Sequence, residues 1–168
     1  MKNFYILITV LSLTVTFSAQ SQDMNNSDLE KIIYVVADSL RGNEGNWQFM
    51  IKDRILVCIT DEKNNRMRIM SPIIEQKELA FQDMLKLMEA NFHTALDVKY
   101  AISDEVLWSV FIHPLKQLDK DEVLSAINQV YAAAVTYGTT YNSTGLSFPK
   151  KEKENSKEVD EKLFKKKI

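Results

Sequence analysis

The chain is poor in the residues that most often announce chemistry. Its 168 residues include one cysteine, two histidines, four glycines and three prolines. A single thiol, Cys58, excludes an internal disulfide and a cysteine-built zinc site. His93 and His113 lie far apart in sequence, with no second ligand at zinc spacing. His93 reads as a basic residue at a helix end, and His113 as the end of a strand. There is no Gly-x-Gly-x-x-Gly and no Walker sequence, so neither a dinucleotide fingerprint nor a phosphate loop is present. Cys58 sits between Val57 and Ile59 with no base nearby, and reads as a buried thiol rather than a nucleophile. Ser39 lacks a nucleophile-elbow context. Asp119, Asp121 and Glu122 lack the glycine and distal glutamate of a calcium loop. A net charge of −2 is too small for a nucleic-acid binder as a whole. No catalytic residue, metal ligand or cofactor is therefore expected.

What is present begins at the N-terminus. Lys2 is followed by an uncharged apolar run from Phe4 to Phe17, and then by Ser18-Ala19-Gln20-Ser21. These are the three parts of a secretory signal. Cleavage after Ser21 places Ala19 and Ser21 at the small-residue positions, whereas cleavage after Ala19 places bulky Phe17 there. The run is short for a membrane span, which needs about 20 residues. No cysteine flanks the cleavage site, which argues against a lipid anchor. The mature chain is expected to be exported, periplasmic or extracellular.

The expected organisation is a signal peptide at 1–21, a linker at 22–26, one domain at 27–140, and a flexible loop and charged tail at 141–168. Ser27-Asp28-Leu29-Glu30 reads as a capping box. Leu29, Ile32, Ile33, Val36 and Leu40 follow at helical spacing, and Gly42 reads as the stop. Trp47–Ile51, Arg54–Thr60 and Arg66–Met70 alternate as strands, with Pro72 ending the third. Glu75–Phe92 reads as a second helix. Leu96–Ile102 and Val106–Ile112 form a hairpin across Ser103-Asp104-Glu105. Asp119 and Glu122 then form a capping box for a last helix with an apolar stripe of Leu124, Ile127, Val130, Tyr131 and Ala134. The order α-βββ-α-ββ-α predicts an α+β fold with a five-stranded antiparallel sheet and three helices. Residues 22–148 carry twelve basic and eighteen acidic side chains, a balance of −6, whereas the tail balances at +3.

Several segments resemble the type III secretion chaperone-like fold, and especially its YbjN-like branch. They are Trp47–Ile51, Arg66-Met67-Arg68-Ile69-Met70-Ser71-Pro72-Ile73, Leu85–Asn91, Val110-Phe111-Ile112 and Leu118-Asp119. The resemblance spans residues 27–140. It implies a small, acidic, non-enzymatic and often dimeric protein that holds a partner polypeptide against its sheet or beside its helices. Such chaperones work in the cytosol, whereas this chain opens with an export signal. What carries over is a protein- or peptide-binding module.

Methionine is adaptable and suits surfaces that accept varied apolar partners. Met67, Met70, Met84 and Met88, with Trp108, are accordingly the candidate partner-binding residues, and core filling is the plainer account of the same stripes. Arg54, Arg66 and Arg68 are expected to form a basic row on one sheet face. In the tail, Val159, Leu163 and Phe164 beside Lys165–Lys167 fit either a short membrane-touching helix or a solvated charged segment. The leading expectation is an exported non-catalytic binding module, with a homodimer as a further expectation. The alternatives are an envelope enzyme with an unrecognised site and a structural envelope protein docked by its basic tail.

Overall fold

The computed structural model describes residues 23–143; the segment expected to be a signal, and the expected tail beyond Ser143, lie outside the described residues. The first helix, α1, spans Asn26–Val36. Its N-cap is Asn25 rather than the expected Ser27: Asn25 Oδ1 accepts from Asp28 N at 2.9 Å. Asn26, read as linker, is already helical and pins the helix start to the sheet. Thr60 Oγ1 donates to Asn26 Oδ1 at 2.6 Å, and Asn26 N donates to Glu62 Oε1 at 2.8 Å. Leu29 and Ile33, one turn apart, are fully buried.

Six strands follow, not five. They are β1 (Ser39–Asn43), β2 (Asn46–Ile51), β3 (Arg54–Asp61), β4 (Arg66–Glu75), β5 (Lys99–Ser103) and β6 (Val106–His113). The unexpected strand is β1, in the segment expected to end the first helix. Gly42 does not stop a helix; it sits inside a hairpin, at φ 119°, opposite Trp47. The sheet order is β1-β2-β3-β4-β6-β5, antiparallel throughout.

Strand β4 runs straight through Pro72 to Glu75, with a register shift between Pro72 and Ile74. Its ladder with β3 stops at the Val57–Met70 pair, so Pro72 lies where β4 is laddered to β6 alone. A missing N–H is tolerated at such a position. Because β4 takes residues through Glu75, the second helix starts late. A 3₁₀ turn (Gln76–Glu78) precedes α2 (Phe81–His93). The last helix, α3 (Lys120–Thr136), has the expected capping box. Glu122 N donates to Asp119 Oδ1 at 2.8 Å, and Asp119 N to Glu122 Oε2 at 2.9 Å.

The helices lie on one face of the sheet. Alternate strand residues point toward them and are buried: Trp47, Phe49, Leu56, Cys58, Met67, Ile69, Leu107 and Phe111. Leu29, Ile33, Leu87, Val123, Ile127 and Val130 complete the core from the helix side. Ser71 and Ser109 are buried on the same face, and each hydroxyl donates to a carbonyl, Ile55 O at 2.8 Å and Val130 O at 2.9 Å. Tyr141 and Ser143, read from sequence as the start of the loop, pack back on the domain. Ser143 Oγ donates to Ala95 O at 2.7 Å, and Tyr141 stacks edge-on against Tyr100 and Tyr137.

Candidate binding surfaces

Helix α2 covers the end of the sheet rather than its middle. Leu87 and Ala90 are its buried positions, facing Tyr100 and Leu107. Beside them lies a groove of about 340 Å³ between α2 and β5. Its walls include Leu79, Met84, Leu87 and Met88 on one side and Tyr100, Ile102 and Leu107 on the other. The one polar group in that set, the Tyr100 hydroxyl, is turned away and donates to Ala133 O at 2.8 Å. Along the rim, Phe81 is 65 %, Leu85 47 %, Met88 60 % and Phe92 79 % exposed. Their i, i+4, i+7, i+11 spacing makes one solvent-facing apolar stripe. Exposed apolar surface of this kind marks an interaction site more often than it marks nothing.

The groove runs along a sheet edge. Among the described residues strand β5 pairs only with β6, so its other side has no neighbouring strand. Asn91 of α2 fills part of that edge: its Oδ1 accepts from Tyr100 N at 2.7 Å, and its Nδ2 donates to Tyr100 O at 3.2 Å. The next outward-bonding residue is Ile102, at the mouth of the groove.

The five candidate partner-binding residues fall in three places. Met67 is in the core, 1 % exposed. Met70 and Trp108 lie on the sheet face opposite the helices. Met84 and Met88 line the α2–β5 groove. Sequence reasoning missed Phe81, Leu85 and Ile102. The available signal was an α2 with apolar residues on two sides, more than one core-facing stripe needs. Arg54 does not share a face with Arg66 and Arg68. It shares the helix side with Leu56 and Cys58, whereas Arg66 and Arg68 alternate with the buried Met67 and Ile69 and so lie on the open side.

The groups with chemical potential are otherwise engaged. Cys58 is buried in the core, where desolvation pushes its thiol up to about 12. His93 meets Phe92 edge-on, and His113 stacks on Phe111 with Nδ1 2.9 Å from Pro114 O. A second concavity, about 370 Å³, lies between β6 and α3, but its polar groups are taken up by hydrogen bonds within the fold. Gln129 donates to Asp97 Oδ2 at 3.0 Å and Ser125 Oγ at 3.2 Å, and Glu122 serves the helix cap. Among the described residues, no three His, Cys, Asp or Glu side chains gather to hold a metal ion.

No family model and no curated protein matches the chain. Solved structures do match in fold. One is a chain of the HopA1–SchA chaperone–effector complex, with a TM-score of 0.52 and 10 % identity over 65 % of this chain and 88 % of that one. Another is the Yersinia pestis type III secretion chaperone SycH in complex with a stable fragment of YscM2, with a TM-score of 0.51 and 13 % identity over 67 % of this chain and 98 % of that one. The chain therefore has a type III secretion chaperone-like fold.

Proposed function

We propose that this chain is an exported, non-catalytic, chaperone-like module that holds an apolar polypeptide segment in the groove between α2 and β5. The observation that carries the reading is the groove itself, walled by apolar side chains and bordered by the open edge of β5. An extended segment seated there would gain burial from Phe81, Leu85, Met84 and Met88, and a backbone partner at Ile102. The likeness in fold to chaperones solved with effector or partner proteins supports it. Export rests on the reading of residues 1–21. A second reading, self-association, is favoured by the exposed Phe81–Leu85–Met88–Phe92 stripe, whose heptad-like spacing would suit a second copy of α2.

A photo-crosslinking side chain placed at Met88 in the producing cell tests both. The expected result is a discrete polypeptide adduct. The purified pair should bind saturably and lose about tenfold or more affinity on Met84→Glu with Met88→Glu. Adducts only between copies of the chain, with a dimer mass in solution, would select self-association. No saturable partner for the folded protein would defeat the reading.

A further inference from the structure

The side of the sheet away from the helices carries a second surface, independent of the groove. A row of partners crosses all six strands: Arg41, Gln48, Val57, Met70, Val110 and Lys99, each opposite the next. By alternation they share the open face. Around the row's apolar centre lie Ile55, Ile59 and Ile112, which are 41 %, 38 % and 59 % exposed. Trp108 lies beside them, paired with Pro72. Among the described residues no helix covers this face.

Charge on the face is one-sided. Arg41 and Lys99 stand at its two edges. Arg68 sits between Ile59 and Ile112, and Arg66 lies opposite Asp61. Four cations therefore frame the patch, against two acids, Asp61 and Glu75, on a domain whose overall balance is −6. Both acids are already occupied: Asn64 donates to Asp61 through N at 3.0 Å and through Nδ2 at 2.7 Å, and Glu75 is ion-paired with Lys77 at the far end of the face. Arg41, Arg66 and Arg68 are exposed, and among the described residues no ion pair engages them.

The geometry points to this face as a docking surface for an acidic, amphipathic polypeptide segment. Its apolar side lies on Val57, Met70, Val110 and Ile112, and its carboxylates meet Arg66 and Arg68. Guanidinium groups match carboxylates in paired, planar hydrogen bonds. A second copy of this face is disfavoured, since two-fold pairing would set the same cations against each other. Single-stranded nucleic acid is disfavoured because the patch is aliphatic, with Trp108 its one aromatic platform. A lipid surface is disfavoured because the valines and methionine are half-buried in a flat layer. Such a layer suits another layer of side chains packed about 10 Å away.

The test is selection of displayed random peptides on the full chain, followed by affinity measurement with the synthetic winners. Winners should be enriched in Asp and Glu at helical or alternate spacing with apolar residues. Their affinity should fall about tenfold or more in the Arg66→Glu, Arg68→Glu double variant, weaken with salt, and fall less far in the doubly lysine-substituted variant, which keeps the charge but loses the paired planar geometry. Binding should also shift Trp108 fluorescence; Trp47, the other tryptophan, is fully buried, and Trp108→Phe should remove the signal. Met88→Glu, in the groove, should leave this binding unchanged, which separates the two surfaces. The proposal is overturned by winners without acidic enrichment or by affinity insensitive to the double reversal. Equally decisive against it would be Arg66- and Arg68-dependent binding of oligothymidylate, or of phosphatidylglycerol–phosphatidylcholine vesicles, in place of peptide.

Discussion

Asn91 closes the edge of the sheet at Tyr100, its amide pairing with both the N–H and the C=O of that residue, at 2.7 Å and 3.2 Å. One side chain thus stands in for a neighbouring strand. Asn91→Leu keeps the branching at Cγ and removes both bonds, leaving a part-buried donor and acceptor unpaired. The expected loss is about 1–3 kcal/mol in urea unfolding. The variant should also self-associate more readily, because an open edge is a template for pairing. Unchanged stability would show that water replaces the amide at no cost.

Much of this fold is legible in the sequence, and what is not has physical reasons. The Asp119–Glu122 box, the alternation of Arg54–Thr60 and Arg66–Met70, and the short hairpin after Ser103 are all local signals, and all appear. Strand β1 is not legible because Ser39-Leu40-Arg41-Gly42-Asn43 is an edge strand with one side chain facing the core. Edge strands need no apolar alternation. Pro72 hid the second half of β4 because its tolerance depends on where the β3 ladder stops. Of the two surfaces, part was readable: Met84 and Met88 of the groove, and Met70, Trp108, Arg66 and Arg68 of the open face. Their division between groove and open face follows from strand order and helix placement. Both are tertiary facts that no window of sequence contains.

The hairpin that hid β1 makes a prediction of its own. At Gly42, with φ 119°, an added Cβ would stand 2.2 Å from Asn46 O. That atom is backbone and cannot swing aside. Gly42→Ala should therefore strain or unzip the β1–β2 hairpin and cost at least about 1–3 kcal/mol. The check is thermal unfolding together with hydrogen exchange at Leu40 and Phe49, whose pairing should loosen before the core does. Gly138, with nothing within 4 Å of an added Cβ but φ 77°, is the control for backbone strain alone.

The cap of α3 is separable from the surfaces. Asp119→Ala removes the acceptor for Glu122 N and breaks the reciprocal box. The expected cost is about 1 kcal/mol, recovered in large part by Asp119→Ser, which restores a capping oxygen. Urea midpoints of the three proteins decide it. Equal midpoints for alanine and serine would mean that packing of Val123 and Ile127, both buried, sets the helix start without the cap.

High pH should unfold the protein through two buried groups. Burial raises the Cys58 thiol from 9.0 to about 12 and the Tyr100 phenol from 10.0 to about 12. In the unfolded chain both lose protons near their ordinary values, while the fold holds them to about 12. The unfolded state therefore binds fewer protons through that interval, and stability falls as pH rises. The stabilising contribution is complete below about pH 9, declines from there, and is exhausted near pH 12. Cys58→Ala should remove the part of the decline that begins near 9, and Tyr100→Phe the part that begins near 10. Urea midpoints measured in steps from about pH 8 to about pH 12 read this directly. Parallel alkylation with iodoacetamide supplies the second readout: Cys58 should stay unmodified in the native protein at mildly alkaline pH and react once urea unfolds it. Rapid labelling of the folded chain, with wild-type and Cys58→Ala curves superimposed, would show that the β3 thiol is open to solvent and that its burial does not govern the alkaline limb.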